Sequence, residues 1–497
     1  MAKSRTRTLA LALTFLLGLI GAISAPGPAN ALPDEAKWSR VNIPGEGESG
    51  QWALASDSNV QHLTMAADGT LYSYANPSGT SYRLFRSTDA GATWTATGKV
   101  KDTISDIATA PDDAAVIYYA TASSVHKSVD AGANFTLLPL SPGGAGSDNI
   151  EITSIAVTLQ GNNNLVAVGT RDTDAAQYGG VHILDEASPF SGWVNTNAGN
   201  IDVYRVAFSP EFTTDRQLLA VATDETDTFI ISRISDNDWG TIIGDARIEA
   251  LTPVAATIAF PDNYDIASED SVFFVAIDSA SNNGDVYKVY GMWAPDSSTA
   301  IDLNIGAAYN LDSIDISGLA VSGSAPTASL LAGAAGSTQV YISTDGGTTW
   351  TRSRQKPTGQ SQTRIIMAPD FTASGTIYAA TSGTESAFSY STDGGVTWKQ
   401  ASLIDTKISD NGIIDLAVSP DYSRDSALFM LTFNGEHIEH SLWRSLSGGA
   451  KWERLLTGTL ADADSLSHVR LSPQYGSQSQ NVFLAGSSGG TPAIWKS

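Results

Sequence analysis

The chain has 497 residues, no cysteine and a formal net charge of −24, with 28 Lys and Arg against 52 Asp and Glu. The missing cysteines exclude disulfides and a lipid-modified N-terminal cysteine. The acidic balance argues against nucleic acid or an anionic membrane surface as partner, since both attract Lys and Arg.

Residues 1–31 read as a signal peptide. Lys3, Arg5 and Arg7 form a basic start, Leu9 to Ile23 an apolar core, and Ala29-Asn30-Ala31 a small-residue cleavage site. The mature chain is then expected to start at Leu32 and to work outside the cytoplasm, at the cell surface or in the envelope. No other stretch is long and apolar enough to span a membrane.

From residue 32 onward the chain repeats. A short apolar strand running into a turn recurs nine times, six copies carrying a proline there, as in Ile107-Ala-Thr-Ala-Pro111, Val206-Ala-Phe-Ser-Pro210, Leu416-Ala-Val-Ser-Pro420 and Val469-Arg-Leu-Ser-Pro473. A second strand rich in β-formers follows each copy, for example Val116-Ile-Tyr-Tyr-Ala120 and Val272-Phe-Phe-Val-Ala276. A third strand leads into a turn of the pattern Ser-x-Asp-x-Gly-x-x-aromatic. Its copies are Ser87, Asp89, Gly91 and Trp94; Ser128, Asp130, Gly132 and Phe135; Ser343, Asp345, Gly347 and Trp350; and Ser391, Asp393, Gly395 and Trp398. A worn copy keeps Gly449 and Trp452. In such a turn Ser and Asp bond nearby amides and Gly takes a backbone angle that a Cβ forbids. The aromatic then opens the next strand and buries its ring.

Strands this short, this regular and this turn-bounded predict an all-β chain of four-stranded antiparallel units, and internal repeats of some fifty residues point to a propeller or a solenoid. The Ser-x-Asp-x-Gly-x-x-Trp turn resembles the Asp-box, or bacterial neuraminidase, repeat. That resemblance implies a propeller with each box between the third and fourth strands of a blade, away from the active face. Nine blades in one ring are the expectation over residues 32–497, with eight as the alternative if repeat five or six is an insertion. The sequence ends at Ile494-Trp-Lys-Ser497, which is the strand before a box, and Lys37-Trp38-Ser-Arg-Val41 looks like the strand after one. Residues 36–43 are therefore expected to complete the last blade, 466–497, as a clasp that removes open sheet edges.

Propeller ligands meet the mouth of the central channel. Five residues before the proline-like position of each copy, four in the shorter copy with Thr257, stands a polar column: His62, Asp106, Ser154, Arg205, Thr257, Gly318, Arg364, Asp415 and His468. It reads either as ordinary strand-entry chemistry or as a ring of side chains around one mouth. Arg470 joins Arg205 and Arg364 as a third inner-strand arginine, the number with which sialidases of the resembled family hold a sugar carboxylate. The chain departs from that family in blade count, in lacking its Tyr/Phe-Arg-Ile-Pro motif, and in having no Glu in the column to activate a Tyr. Asp106 and Asp415 are the two carboxylates to cite for a glycosidase like the xyloglucan-cleaving propellers. Asp224 to Asp227 and Asp262 to Asp265 are acidic loops able to hold Ca²⁺ through oxygens, and His437-Ile-Glu-His440 has metal-like letters at spacing that splits across a strand. No cofactor is expected. The reading is an exported, non-catalytic binding or structural module that meets a protein or a glycan, similar in repeat to photosystem-assembly factors. The alternative is a carbohydrate-active hydrolase.

Overall fold

In the computed structural model, residues 42–497 are described apart from 48–51, 82, 148, 189–191, 241–245, 269–270, 291–299, 310–312, 409–411, 436–437 and 458–462. The signal peptide, most of the clasp with Trp38, and the aromatic Trp293 lie outside the described residues.

Each repeat folds as an antiparallel meander in which chain order is spatial order. Blades 1 to 7 span residues 62–96, 104–137, 150–195, 202–248, 253–302, 316–352 and 361–402. An eighth meander covers 413–457, and a ninth, 465–496, has three strands among the described residues. The repeats suspected as insertions, five and six, both form full blades. The second strands explain their own composition. Ile117–Thr121, Gln217–Thr223 and Ile377–Ser382 are buried at every position, because both faces of each blade are covered by neighbouring blades. Helix is confined to single turns such as Phe371–Ser374.

The boxes build the turns their letters demand. In the first, the Ser87 hydroxyl donates to Asp89 at 2.9 Å and accepts from the Gly91 amide at 2.9 Å, while Asp89 accepts the Thr93 amide at 2.8 Å. The same three bonds recur around Asp130, Asp345 and Asp393 at 2.8–3.0 Å. In the worn copy Ser447 stands in for the Asp, accepting the Lys451 amide at 2.8 Å, and the Gly449 amide still bonds Ser445.

Closure of the ring departs from the expectation. First strands of successive blades pack side by side from blade 1 through blade 7, and the first strand of blade 7, Ser361–Met367, packs against that of blade 1, His62–Met65. Residues 52–60 seal this joint along the outer and second strands of blade 7. The Leu403 amide donates to the Trp52 carbonyl, the Ala55 amide to Ile404 and the Val60 amide to Thr381, at 2.8–3.1 Å. Trp94 of blade 1 donates its indole N–H to Ser402 of blade 7 at 2.6 Å, and its ring meets Phe388 edge-on at 5.2 Å. Gly91, at φ +82°, is required here, because a Cβ would lie 1.9 Å from the Phe388 ring.

Seven blades thus follow one another around one axis, in place of the nine expected. Blades 8 and 9 pack on each other and join the ring differently. The outer strand of blade 8, Glu453–Thr457, pairs with that of blade 7, Lys399–Ser402, at Gln400 and Arg454, making one eight-stranded sheet. The physical reason is coverage. Blade 7 has buried its free face on blade 1, so the next blade can add only at its outer edge. Arg454, wholly buried at the joint, bonds Gln400 at 3.1 Å and pairs with Glu385 of blade 7 at 2.8 Å.

Candidate functional site

The first strand of every blade but the first carries a β-bulge just ahead of the polar column, as between Ile104 and Asp106, Val203 and Arg205, Ile316 and Gly318, and Ser361 and Arg364. A bulge leaves one residue unpaired and re-aims the next side chain. That repeated device, invisible in composition, is what turns the column off the sheet. In blade 5 the bulge falls between Pro253 and Ala255, so the column position is Ala255 and not Thr257. Ala255 stands six residues before Pro261, one more than in the other proline-bearing copies, so counting back from the proline stops short of it.

Asp106 is fixed by three donors. It accepts the Ile107 amide at 2.9 Å, the Ile155 amide of blade 3 at 3.1 Å, and Nη1 of Arg205 on blade 4 at 2.8 Å. One carboxylate therefore ties three successive blades. Arg364 of blade 7 donates Nη1 to the Ser317 carbonyl of blade 6 at 2.7 Å. Gly318 leaves the space for this approach, since a Cβ there would stand 2.6 Å from the Thr363 carbonyl oxygen and 2.9 Å from the Arg364 Cα. His62 of blade 1 is half-buried beside these charges. Burial, reinforced by the Arg364 and Arg205 guanidiniums and opposed by Asp106, pulls its pKa down to about 4, so the imidazole is neutral at physiological pH. The titratable groups of blades 1, 2, 4 and 7 thus act on one another across the axis.

A fifth titratable group belongs with these and was not legible in the column. Asp278 sits on the second strand of blade 5, Val272–Ser279, directly across from Ala255. Burial first, and then Asp315, raise its pKa to about 6, while Arg364 opposes the shift. The available signal was an acid inside an otherwise apolar run.

The remaining column residues stand elsewhere. Asp415 accepts the Val469 amide at 2.9 Å and pairs with Arg470, the same staple that Asp106 makes, but between blades 8 and 9. His468 is exposed and bonds Ser467 at 2.9 Å. The structure therefore brings together His62, Asp106, Arg205 and Arg364, and separates them from Asp415, His468 and Arg470. The three-arginine constellation is not assembled, because Arg470 belongs to blades outside the ring. Arg171, near Tyr204, pairs with Glu151 at 2.8 Å.

The acidic loops cap themselves. Asp227 accepts the Ala250 amide at 2.8 Å and pairs with Arg247, and Asp262 accepts the Gly323 amide at 2.9 Å. His440 takes the Leu466 amide at 3.3 Å, and His437 lies outside the described residues. Among the described residues no group of three or more His, Asp or Glu is placed to hold a metal ion.

A match to the Sortilin-Vps10 family (sortilin, neurotensin receptor 3) covers residues 338–468, about a quarter of the chain. No curated protein sequence matches. Similar solved structures include the GH74 xyloglucanase from Xanthomonas campestris, 12% identical over 90% of this chain and 80% of that one, with a TM-score of 0.47. YCF48 from Cyanidioschyzon merolae is 14% identical over 69% of this chain and 95% of that one, at a TM-score of 0.42. An α-L-arabinanase from Penicillium chrysogenum, complexed with arabinobiose, is 10% identical over 71% and 94%, at 0.37. The chain carries Asp-box repeats on a β-propeller scaffold. Among the described residues no helix is long and apolar enough to cross a membrane.

Proposed function

We propose that the chain is an exported, non-catalytic propeller that serves as a binding or structural module at the cell surface or envelope. One observation carries this reading. Asp106, the carboxylate at the centre of the ring, has its lone pairs engaged by two amides and Arg205, which is the bonding of a structural staple and not of a free acid or base. Asp415 makes the same staple in blades 8 and 9, so the two acids that a glycosidase would need are both committed to joining blades.

A hydrolase is the second reading, and Asp278 favours it, because a carboxylic acid held near pKa 6 beside an arginine suits general-acid work. The two separate in one assay series. The purified mature chain is expected to release nothing above buffer from nitrophenyl glycosides, a fluorogenic sialoside or xyloglucan, and Asp278→Asn to behave as the parent does. Turnover that disappears in Asp278→Asn would establish the hydrolase instead. N-terminal sequencing of the exported protein should begin at Leu32, and a start at Met1 would contradict the signal peptide.

A further inference from the structure

Where the eight-stranded sheet meets blade 9 there is a cleft. Its floor is the joint of the outer strands of blades 7 and 8, its one wall the segment 354–358, and its other wall strands of blade 9. Five cations line it: Arg354, Lys356, Lys399, Arg444 and Lys496. The described lining has no Asp or Glu side chain, in a chain whose formal net charge is −24. Glu453 behind the floor pairs with Arg444 and lies 3.9 Å from Lys399. Arg354, Lys356 and Lys496 are exposed and make no ion pair among the described residues.

Cations drawn together from four separate segments, against the bias of the whole surface, attract anions by their summed potential. Apolar side chains line floor and wall, with Leu455 on the floor and the half-buried indole of Trp495 beside Leu484 on the blade 9 wall. We propose that this cleft binds an anionic polysaccharide, whose ring C–H faces rest on the apolar side chains of floor and wall while its carboxylates meet the rim cations. The floor strands pair with each other at Gln400 and Arg454, so that rung offers no backbone ladder to a ligand. The aromatic face of Trp495 beside the rim cations favours a saccharide with repeated carboxylates over an acidic peptide. The inference rests on the binding-module reading above and gives it a ligand class.

Polygalacturonate is the probe, with dextran of equal length as the neutral control and poly-L-glutamate as the peptide control, titrated against the full mature chain. Polygalacturonate is expected to bind at low salt, more weakly at 0.15 M salt, and about tenfold more weakly to Lys356→Glu/Lys496→Glu. A melting profile shows whether that variant folds, and Lys356→Gln/Lys496→Gln should give a smaller loss in the same direction. Absence of binding at low salt, or binding unchanged in both folded double variants, would overturn the site. Poly-L-glutamate binding as tightly as polygalacturonate would overturn the saccharide. Shortening of the polygalacturonate during titration would instead overturn the non-catalytic reading while leaving the cleft as its binding site.

Discussion

Trp94→Ala is expected to destabilise the chain by about 3–5 kcal/mol, the range for deleting a wholly buried large aromatic. Trp94 is 0% exposed, although its box opens an outer strand, and it fills the joint between blades 1 and 7. Its loss removes the edge-on contact with Phe388 and leaves Ser402 without the indole donor. Trp94→Phe should retain most of the packing and lose that hydrogen bond, for about 1 kcal/mol. Urea denaturation of the two variants and the parent gives both numbers. An alanine variant within about 0.5 kcal/mol of the parent, the level of an ordinary surface change, would mean that this tryptophan holds no joint.

Asp285→Asn should stabilise the chain at pH 8 and not at pH 4.5. Asp285 is 1% exposed, its Oδ1 accepts the Val286 and Ile305 amides, and its Oδ2 has no partner. Burial, with Asp302 nearby, pushes its pKa up to about 7 against the two amides. The folded chain thus keeps a proton that the unfolded chain releases near the ordinary Asp value of about 3.9. The stability linked to this proton is full below about pH 4 and is lost as pH rises through 7. A shift of this size corresponds to roughly 4 kcal/mol. Asparagine keeps the Oδ1 acceptor without the charge, so the gain should grow from pH 5 to pH 8. His62 runs the other way, its depressed pKa making stability rise with pH between about 4 and 6.5. Comparing variant with parent at each pH isolates Asp285, and an equal effect at both ends would contradict the assignment.

The parts of the fold that depend on neighbours in sequence were legible. A box is eight residues long, and its Ser, Asp, Gly and aromatic each have one local task, so the turns and the blade period read directly. Even the worn copy at Ser445 to Trp452 reads correctly, because Ser447 can still accept one amide. Closure was not legible, because it depends on which blade face covers which. Residues 52–60 hold the joint through partners more than three hundred positions away, and nothing in Trp52 to Val60 states that its amides belong to Thr381 and Ile404. The column was half legible for the same reason. His62, Asp106, Arg205 and Arg364 converge because their blades share an axis, whereas Asp415 and His468 repeat the local pattern on blades that do not. Asp278 was missed because its strand reads as a buried apolar run, and only the register across Ala255 brings it to the charges.

Ring closure after seven blades is the claim on which the grouping of the channel residues depends, and the absence of cysteine makes it directly testable. Ser58 and Ser386 are both 0% exposed and their hydroxyl oxygens lie 2.7 Å apart, across the joint of blades 1 and 7. Mild oxidation of folded Ser58→Cys/Ser386→Cys should join the two thiols, read as a mobility shift on a non-reducing gel and as one linked peptide by mass spectrometry. A nine-bladed ring would place two further blades between these positions, so a folded double variant that stays reduced under the same oxidation would contradict the seven-blade closure.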